Sequence, residues 1–254
     1  PLMLVVGWRG KPGLTDEPQH ILQGAVTKKI FQTIDIPIFE LSSESKFDDI
    51  LQRSHEKAKQ DSCPVCILVT PGLFSEHKLK KEDRELTLPL REQAIECIVS
   101  SMNEAVFIST TGKGSRELFE IRKRRDQPHD RDFLVVGSMG HCSQISLGVA
   151  MNKPDSEVVC IDGDGAALMH MGSFATIGDI SPSNLTHILI NNGVHESVGG
   201  HFTSSDKLNF SELARVCGYN LSTRVSTIID LEEILERWKG EDGPKMIEII
   251  TRPG

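Results

Sequence analysis

The chain has no excess of basic charge. Its 254 residues hold 28 Lys and Arg against 36 Asp and Glu, a formal net charge of −8. That balance excludes the electrostatic footprint of a nucleic-acid-binding domain. The one basic run, Arg122-Lys123-Arg124-Arg125, reads as a solvated helix end. No apolar run reaches the length of a membrane-spanning helix, and no basic leader precedes the first apolar segment, so no secretory signal is expected. Of the six cysteines (Cys63, Cys66, Cys97, Cys142, Cys160 and Cys217), only Cys63 and Cys66 have a metal or redox spacing. No second pair and no histidine cluster completes a zinc site. The six read as buried structural thiols of a protein kept in a reducing, cytoplasmic compartment. Internal repeats and low-complexity segments are absent as well.

What is present is alternation. Strand-like apolar runs are predicted at 2–6, 36–39, 65–69, 105–109, 133–136, 157–161, 186–190 and 246–250. Helical periodicity falls between them, at 22–34, 46–59, 89–101, 114–122, 141–151, 171–179, 209–217 and 230–238. This order predicts an α/β fold with parallel sheets flanked by helices on both faces. Runs such as Val158-Val159-Cys160-Ile161 are apolar throughout, as strands buried on both faces should be. The opening run Pro1–Gly7 reads as another buried strand. A stretch dense in charge, 73–88, reads as a linker between a small first unit, 1–72, and a larger second unit, 89–254.

The strongest chemical signal is Asp162-Gly163-Asp164-Gly165-Ala166-Ala167, where a strand runs into Gly-Asp-Gly and small residues. Glycine lets a backbone approach a ligand closely. The amides of Gly165, Ala166 and Ala167 would then face phosphate oxygens from a helix start. Asp164 adds a hard carboxylate suited to Mg²⁺. A second element raises the specificity: a predicted strand ends in Asn191-Asn192-Gly193, with 25 residues between Gly165 and Asn191. That is room for one crossover helix and one strand, which puts both loops at one carboxyl edge of a parallel sheet. Asp164, Asn191 and the carbonyl of Gly193 then offer three oxygens to one ion.

Gly-Asp-Gly followed at this spacing by Asn-Asn resembles the fingerprint of the thiamine diphosphate-dependent decarboxylases. The resemblance implies that Asp164, Asn191 and Gly193 hold Mg²⁺ against the diphosphate. It extends to Gly137-Ser138-Met139-Gly140, which looks like the turn whose bulky apolar residue, here Met139, props the cofactor into its bent shape. Thr110-Thr111-Gly112 looks like the other diphosphate-contacting loop. Ser138, Gly140, Gly163, Gly165, Ala166, Ala167, Val194 and His195 complete the implied cofactor-binding set.

A narrower resemblance, to the phosphonopyruvate decarboxylases, is carried by Gly7-Trp8-Arg9-Gly10, Asp16–His20, Ser109–Lys113, Ser115–Phe119, Asp162–Ser173 and Asn191–Gly200. It implies decarboxylation of phosphonopyruvate to phosphonoacetaldehyde and CO₂. Residues 1–72 then correspond to the last part of a pyrimidine-binding domain and 89–254 to the diphosphate-binding domain. A homodimer or larger assembly is implied, with sites between subunits, as are Gln19, His20 and His195 as candidate catalytic residues. The sequence departs from the pattern at Val194, Glu196, His201 and Phe202, where Ala, Asp, Gln and Pro are expected. No acid here matches the activating glutamate, which the resemblance places upstream of Pro1, so an incomplete chain is expected. Sulfopyruvate or another 2-keto acid as substrate, and an inactive cofactor-binding fragment or subunit, remain open alternatives. The cation that would meet the charged substrate is left open among Arg9, Lys113 and Arg116.

Overall fold

A computed structural model of the chain describes residues 1–75 and 87–254. They form two compact units, Pro1–Lys78 and Leu79–Gly254. Of the charged stretch read as a linker, residues 76–86 lie outside the described residues.

In the first unit, strands β1 (Met3–Gly7), β2 (Ile38–Leu41) and β3 (Val65–Val69) alternate with helices α1 (Ile21–Thr33) and α2 (Phe47–Gln60). The sheet is parallel with order β1-β3-β2. All five residues of β3 are buried, because it is the central strand. The opening run is a strand, as its apolar residues predict, but it is not buried as expected. It lies at the sheet edge, where Val5 is 66 % exposed.

The second unit holds a six-stranded parallel sheet. Its strands are β4 (Val106–Ser109), β5 (Asp132–Leu134), β6 (Val158–Gly163), β7 (Leu185–Asn191), β10 (Leu221–Val225) and β11 (Lys245–Ile250), in the order β10-β11-β7-β6-β4-β5. Two short strands, β8 (Val194–His195) and β9 (His201–Phe202), make a separate antiparallel hairpin. Helices α3 (Arg91–Ser101), α4 (Lys113–Arg124) and α9 (Ile228–Arg237) pack on one face of the sheet. Helices α5 (Cys142–Asn152), α7 (Gly172–Ile180) and α8 (Phe210–Val216) pack on the other. Alternation along β6 supplies both cores: Val159 and Ile161 face one set of helices, Val158 and Cys160 the other. Phe107, Phe174 and Phe210 are fully buried, each worth roughly 1.5–3 kcal/mol of transfer free energy.

Strand β10 and the β8–β9 hairpin were not predicted, and the helix start expected at Gly165–Ala167 is a short separate helix, α6 (Asp164–Met169). The alternation along β10 is polar and only half-buried, so its apolar signal is weak. Because α6 ends at Met169 and α7 begins at Gly172, His170 and Met171 lie between two helices. Helix α7 comes so close to the end of α8 that a Cβ on Gly178 would stand 1.7 Å from the Cys217 carbonyl oxygen. All six cysteines are free. Cys142 and Cys160 lie 3.5 Å apart in the core, and burial pushes the Cys142 thiol well up.

The basic run does end α4, yet it is not wholly solvated. Arg122 is only 4 % exposed. Its guanidinium donates to both carboxylate oxygens of buried Asp132, at 3.2 and 3.1 Å, and lies over the Phe107 ring. Such a pair is costly to break, because one partner is left charged and dry. Arg122→Met should therefore cost about 3–5 kcal/mol, read as a lower urea midpoint for the second unit. A loss under about 1 kcal/mol, the range of surface pairs, would show that Asp132 finds water or another partner.

Candidate functional site

Strand order builds the site. Strands β7, β6, β4 and β5 are consecutive neighbours in the sheet, and their carboxyl ends lead into Asn191–Gly193, Asp164–Ala167, Thr110–Gly112 and Ser138–Gly140. All four motifs singled out in the sequence therefore share one edge. The chain steps from β4 outward to β5, then crosses back to place β6 on the other side of β4. Such a reversal opens a crevice at the carboxyl edge of an α/β sheet. The β6–β7 register pairs Gly163 with Ile190, so Asp164, which directly follows β6, and Asn191, the last residue of β7, come next in register.

Asp164 opens α6 and is buried, as is Asn191. Asp164 Oδ2 accepts a hydrogen bond from Thr203 Oγ1 at 2.5 Å. Asn191 Oδ1 accepts one from Ser205 Oγ at 2.9 Å, and the Gly193 carbonyl accepts one from the Thr203 amide at 2.9 Å. The Thr203 and Ser205 hydroxyls are 2.7 Å apart. The three oxygens expected to hold an ion thus converge on one short segment. On the far side, the Asn191 amide donates to Glu248 Oε1 at 2.9 Å. Glu248 is fully buried, and its Oε2 accepts from the amides of Phe210 and Ser211 at the start of α8. This fixes which end of the Asn191 amide faces Ser205. Thr203, Ser205 and Glu248 were missed in the sequence because no local spacing ties them to either motif.

The surroundings suit a diphosphate and a hard cation. All three converging atoms are oxygens, the donors Mg²⁺ prefers. The amides at the start of α6 are oriented for an anion. The Thr110 hydroxyl is buried with no hydrogen-bond partner, an unmet capacity that a phosphate oxygen would satisfy. Gly165 leaves room at the helix start, where a Cβ would stand 2.5 Å from the His195 ring. His195 and Val194 are half-buried on β8, so His195 belongs to the wall of this cradle.

Met139 is half-buried and Ser138 exposed on the loop after β5. The next residue, Gly140, has a φ of +86°, and a Cβ there would meet His170 Nδ1 at 2.4 Å. Glu196, where Asp was expected, reaches Arg91 at 2.6 Å and Lys113 at 3.2 Å. Burial opposes its charge, but Arg91, the Gly254 amide and Lys113 outweigh that and hold the carboxyl below its ordinary range. Lys113 is thereby committed to a protein carboxylate.

Gln19 and His20 lie in the first unit, on a single 3₁₀ turn before α1. Gln19 is exposed. His20 Nδ1 is 3.0 Å from Asp16 Oδ1, and Arg9 contacts both groups. The Gly10 amide, His20 and the Glu17 amide hold the Asp16 carboxyl far below its usual value. An open cleft of about 340 Å³ beside this turn is lined by Gly10–Asp16, Ile21 and Ala25. Among the described residues no helix is long and apolar enough to cross a membrane.

Residues 111–249 match the family model of the thiamine pyrophosphate enzyme, C-terminal TPP binding domain. Over its whole length the chain is 32 % identical to a phosphonopyruvate decarboxylase of Streptomyces viridochromogenes and 34 % identical to one of Streptomyces hygroscopicus. It spans 67 % and 66 % of those two proteins. It is also 35 % identical, over 64 % of its length and 82 % of the relative's, to the sulfopyruvate decarboxylase subunit beta of Methanocaldococcus jannaschii. Among solved structures, the thiamine diphosphate-dependent 4-hydroxybenzoylformate decarboxylase of Rhodococcus jostii RHA1 superposes with a TM-score of 0.54 at 16 % identity, covering 72 % of this chain and 37 % of that one. The benzoylformate decarboxylase of Polynucleobacter necessarius gives 0.54 at 16 % identity, covering 69 % and 35 %. The structural likenesses show a shared fold; together with the family model and the whole-length identities, they establish that the chain belongs to the thiamine pyrophosphate enzymes, alongside the phosphonopyruvate decarboxylases.

Proposed function

We propose that the protein is the diphosphate-binding part of a thiamine diphosphate- and Mg²⁺-dependent decarboxylase. Its substrate is phosphonopyruvate, which loses CO₂ and gains a proton to give phosphonoacetaldehyde. The observation that carries this reading is the convergence of Asp164 Oδ2, Asn191 Oδ1 and the Gly193 carbonyl on the Thr203–Ser205 segment.

In this reading Asp164, Asn191 and Gly193 hold Mg²⁺, and Asp164 contributes the countercharge a buried diphosphate needs. The amides of Gly165, Ala166 and Ala167 and the hydroxyl of Thr110 bind phosphate oxygens, with Thr111, Gly112 and Gly163 shaping the loops around them. Met139 and the flanking Ser138 and Gly140 set the conformation in which the reactive ring is presented. Thiamine diphosphate, when bound, supplies the electron sink for the departing carboxylate. Residues 1–72 are proposed as part of the pyrimidine-binding domain, with Gln19 and His20 on its substrate side, and the working assembly as a homodimer or larger. The identity to the sulfopyruvate decarboxylase subunit favours sulfopyruvate as the second reading of the substrate.

Three outcomes test the proposal. In calorimetry with Mg²⁺, Asp164→Ala should abolish thiamine diphosphate binding. Thr203→Val should weaken it about 10–100-fold, the usual cost of losing a group that orients metal ligands, and Thr203→Ser should restore it. Unchanged affinity in Asp164→Ala would remove the metal assignment.

Met139→Ala should leave cofactor affinity within about tenfold, or roughly 1.4 kcal/mol. Its turnover should fall further, because the reacting atoms require close positioning. Equal losses in both would reduce Met139 to a packing residue.

For substrate, the protein expressed from its complete reading frame should release CO₂ from phosphonopyruvate with a higher kcat/KM than from sulfopyruvate or pyruvate, the measure of discrimination. A preference for sulfopyruvate would replace the first reading by the second. No turnover of any keto acid would favour a cofactor-binding subunit.

A further inference from the structure

Two histidines stand beside the cofactor loops with no part in binding metal or diphosphate. His141 follows Gly140 and precedes α5, and His170 follows α6. They come from different loops, yet their ring centroids are 4.4 Å apart with the planes tilted by 53°. Both residues are exposed.

The pair is built into the turn that holds Met139. The His141 Nδ1 lies 3.3 Å from the Met139 carbonyl oxygen. A carbonyl only accepts, so that nitrogen carries the proton, and Nε2 is left for a ligand. His170 packs against Gly140: a Cβ there would stand 2.4 Å from His170 Nδ1, 3.0 Å from Met169 Cβ and 3.1 Å from the Ala166 carbonyl. Glycine at 140, with its φ of +86°, is what lets the second imidazole sit against the turn. The same turn therefore carries the cofactor-propping residue and the histidine pair.

We propose that His141 and His170 form the subsite for the second anionic group of the substrate, a phosphonate or sulfonate at the end remote from the departing carboxylate. The inference rests on the decarboxylase reading given above. Its physical basis is charge. A keto acid with two anionic ends enters a protein of net charge −8 and needs a local cation. Of the cations left open in the sequence, Lys113 contacts Glu196, Arg9 contacts Asp16, and Arg116 is exposed on α4, while Arg91 is held by Glu117 and Glu196. Imidazole is the side chain whose protonation an arriving anion can most readily draw at neutral pH. Two imidazolium N–H groups on adjacent rings match an anion with three acceptor oxygens, and charge-assisted hydrogen bonds are the strong ones. Neither ring is required for a substrate that ends in a methyl group.

The test uses the full-length, cofactor-loaded protein and the variants His141→Gln and His170→Gln. Binding of phosphonoacetate, which carries both anionic ends and no keto group, is measured by calorimetry. It should weaken at least about tenfold in each variant, while thiamine diphosphate affinity stays within about twofold. In turnover, kcat/KM for the preferred phosphonate or sulfonate keto acid should fall about 30-fold or more, chiefly through KM. That for pyruvate should change by less than about threefold. Parallel losses on both substrates, or a matching loss of cofactor affinity, would overturn the proposal and make the pair a scaffold for Met139. So would a wild-type protein that does not bind phosphonoacetate. Histidine-dependent binding in a protein that decarboxylates nothing would uphold the subsite and sink the decarboxylase reading alone.

Discussion

The parallel register of β6 against β7 is the constraint on which the site depends. With Gly163 opposite Ile190, the next residue of each chain segment is a ligand candidate, Asp164 just past β6 and Asn191 at the end of β7. A slip by one residue would turn every side chain to the opposite face. It would also bury the wrong partners in both cores, since Val159 and Ile161 serve one set of helices and Val158 and Cys160 the other. The hydrophobic pattern that stabilises the sheet is thus what aligns the polar oxygens at its end. Fold and site are specified by the same residues.

The polar shell around those oxygens follows a second rule, that buried polar groups must be paired. Asp164 and Asn191 are buried and satisfied by Thr203, Ser205 and Glu248. Glu248 in turn caps the amides that open α8. A helix on one face of the sheet, the last strand and the end of β7 are in this way joined by one carboxylate.

Much of this was legible in the sequence. The apolar runs located all eight predicted strands to within two residues at each end. Asp164 and Asn191 were singled out because each comes at the end of an apolar run, and the sheet topology brings those two ends side by side. Thr203 and Ser205 were not found. They act through a hairpin whose strands are two residues each, too short to leave a period. Glu248 was hidden for the opposite reason: it sits inside an apolar run, where a charge looks like the outward face of a strand. Arg122 was misread alike, because a basic run at a helix end gives no sign that one member turns inward to Asp132. His141 and His170 lie far apart in the chain, and only the folded chain brings their rings within 4.4 Å of each other.

The backbone contact between Gly178 and Cys217 has a consequence for how this family can vary. No side chain fits at residue 178 unless α7 and the end of α8 move apart, since the Cys217 carbonyl occupies the place of a Cβ. Helix α8 cannot move freely, because its first amides are held by Glu248, and Glu248 also sets the Asn191 amide. A methyl group added on an outer helix would therefore be felt at the Asn191 amide. Over evolutionary time the two positions should change together or not at all. A drift at 178 unaccompanied by reshaping of the α8 end would mark a lineage in which the site has been abandoned.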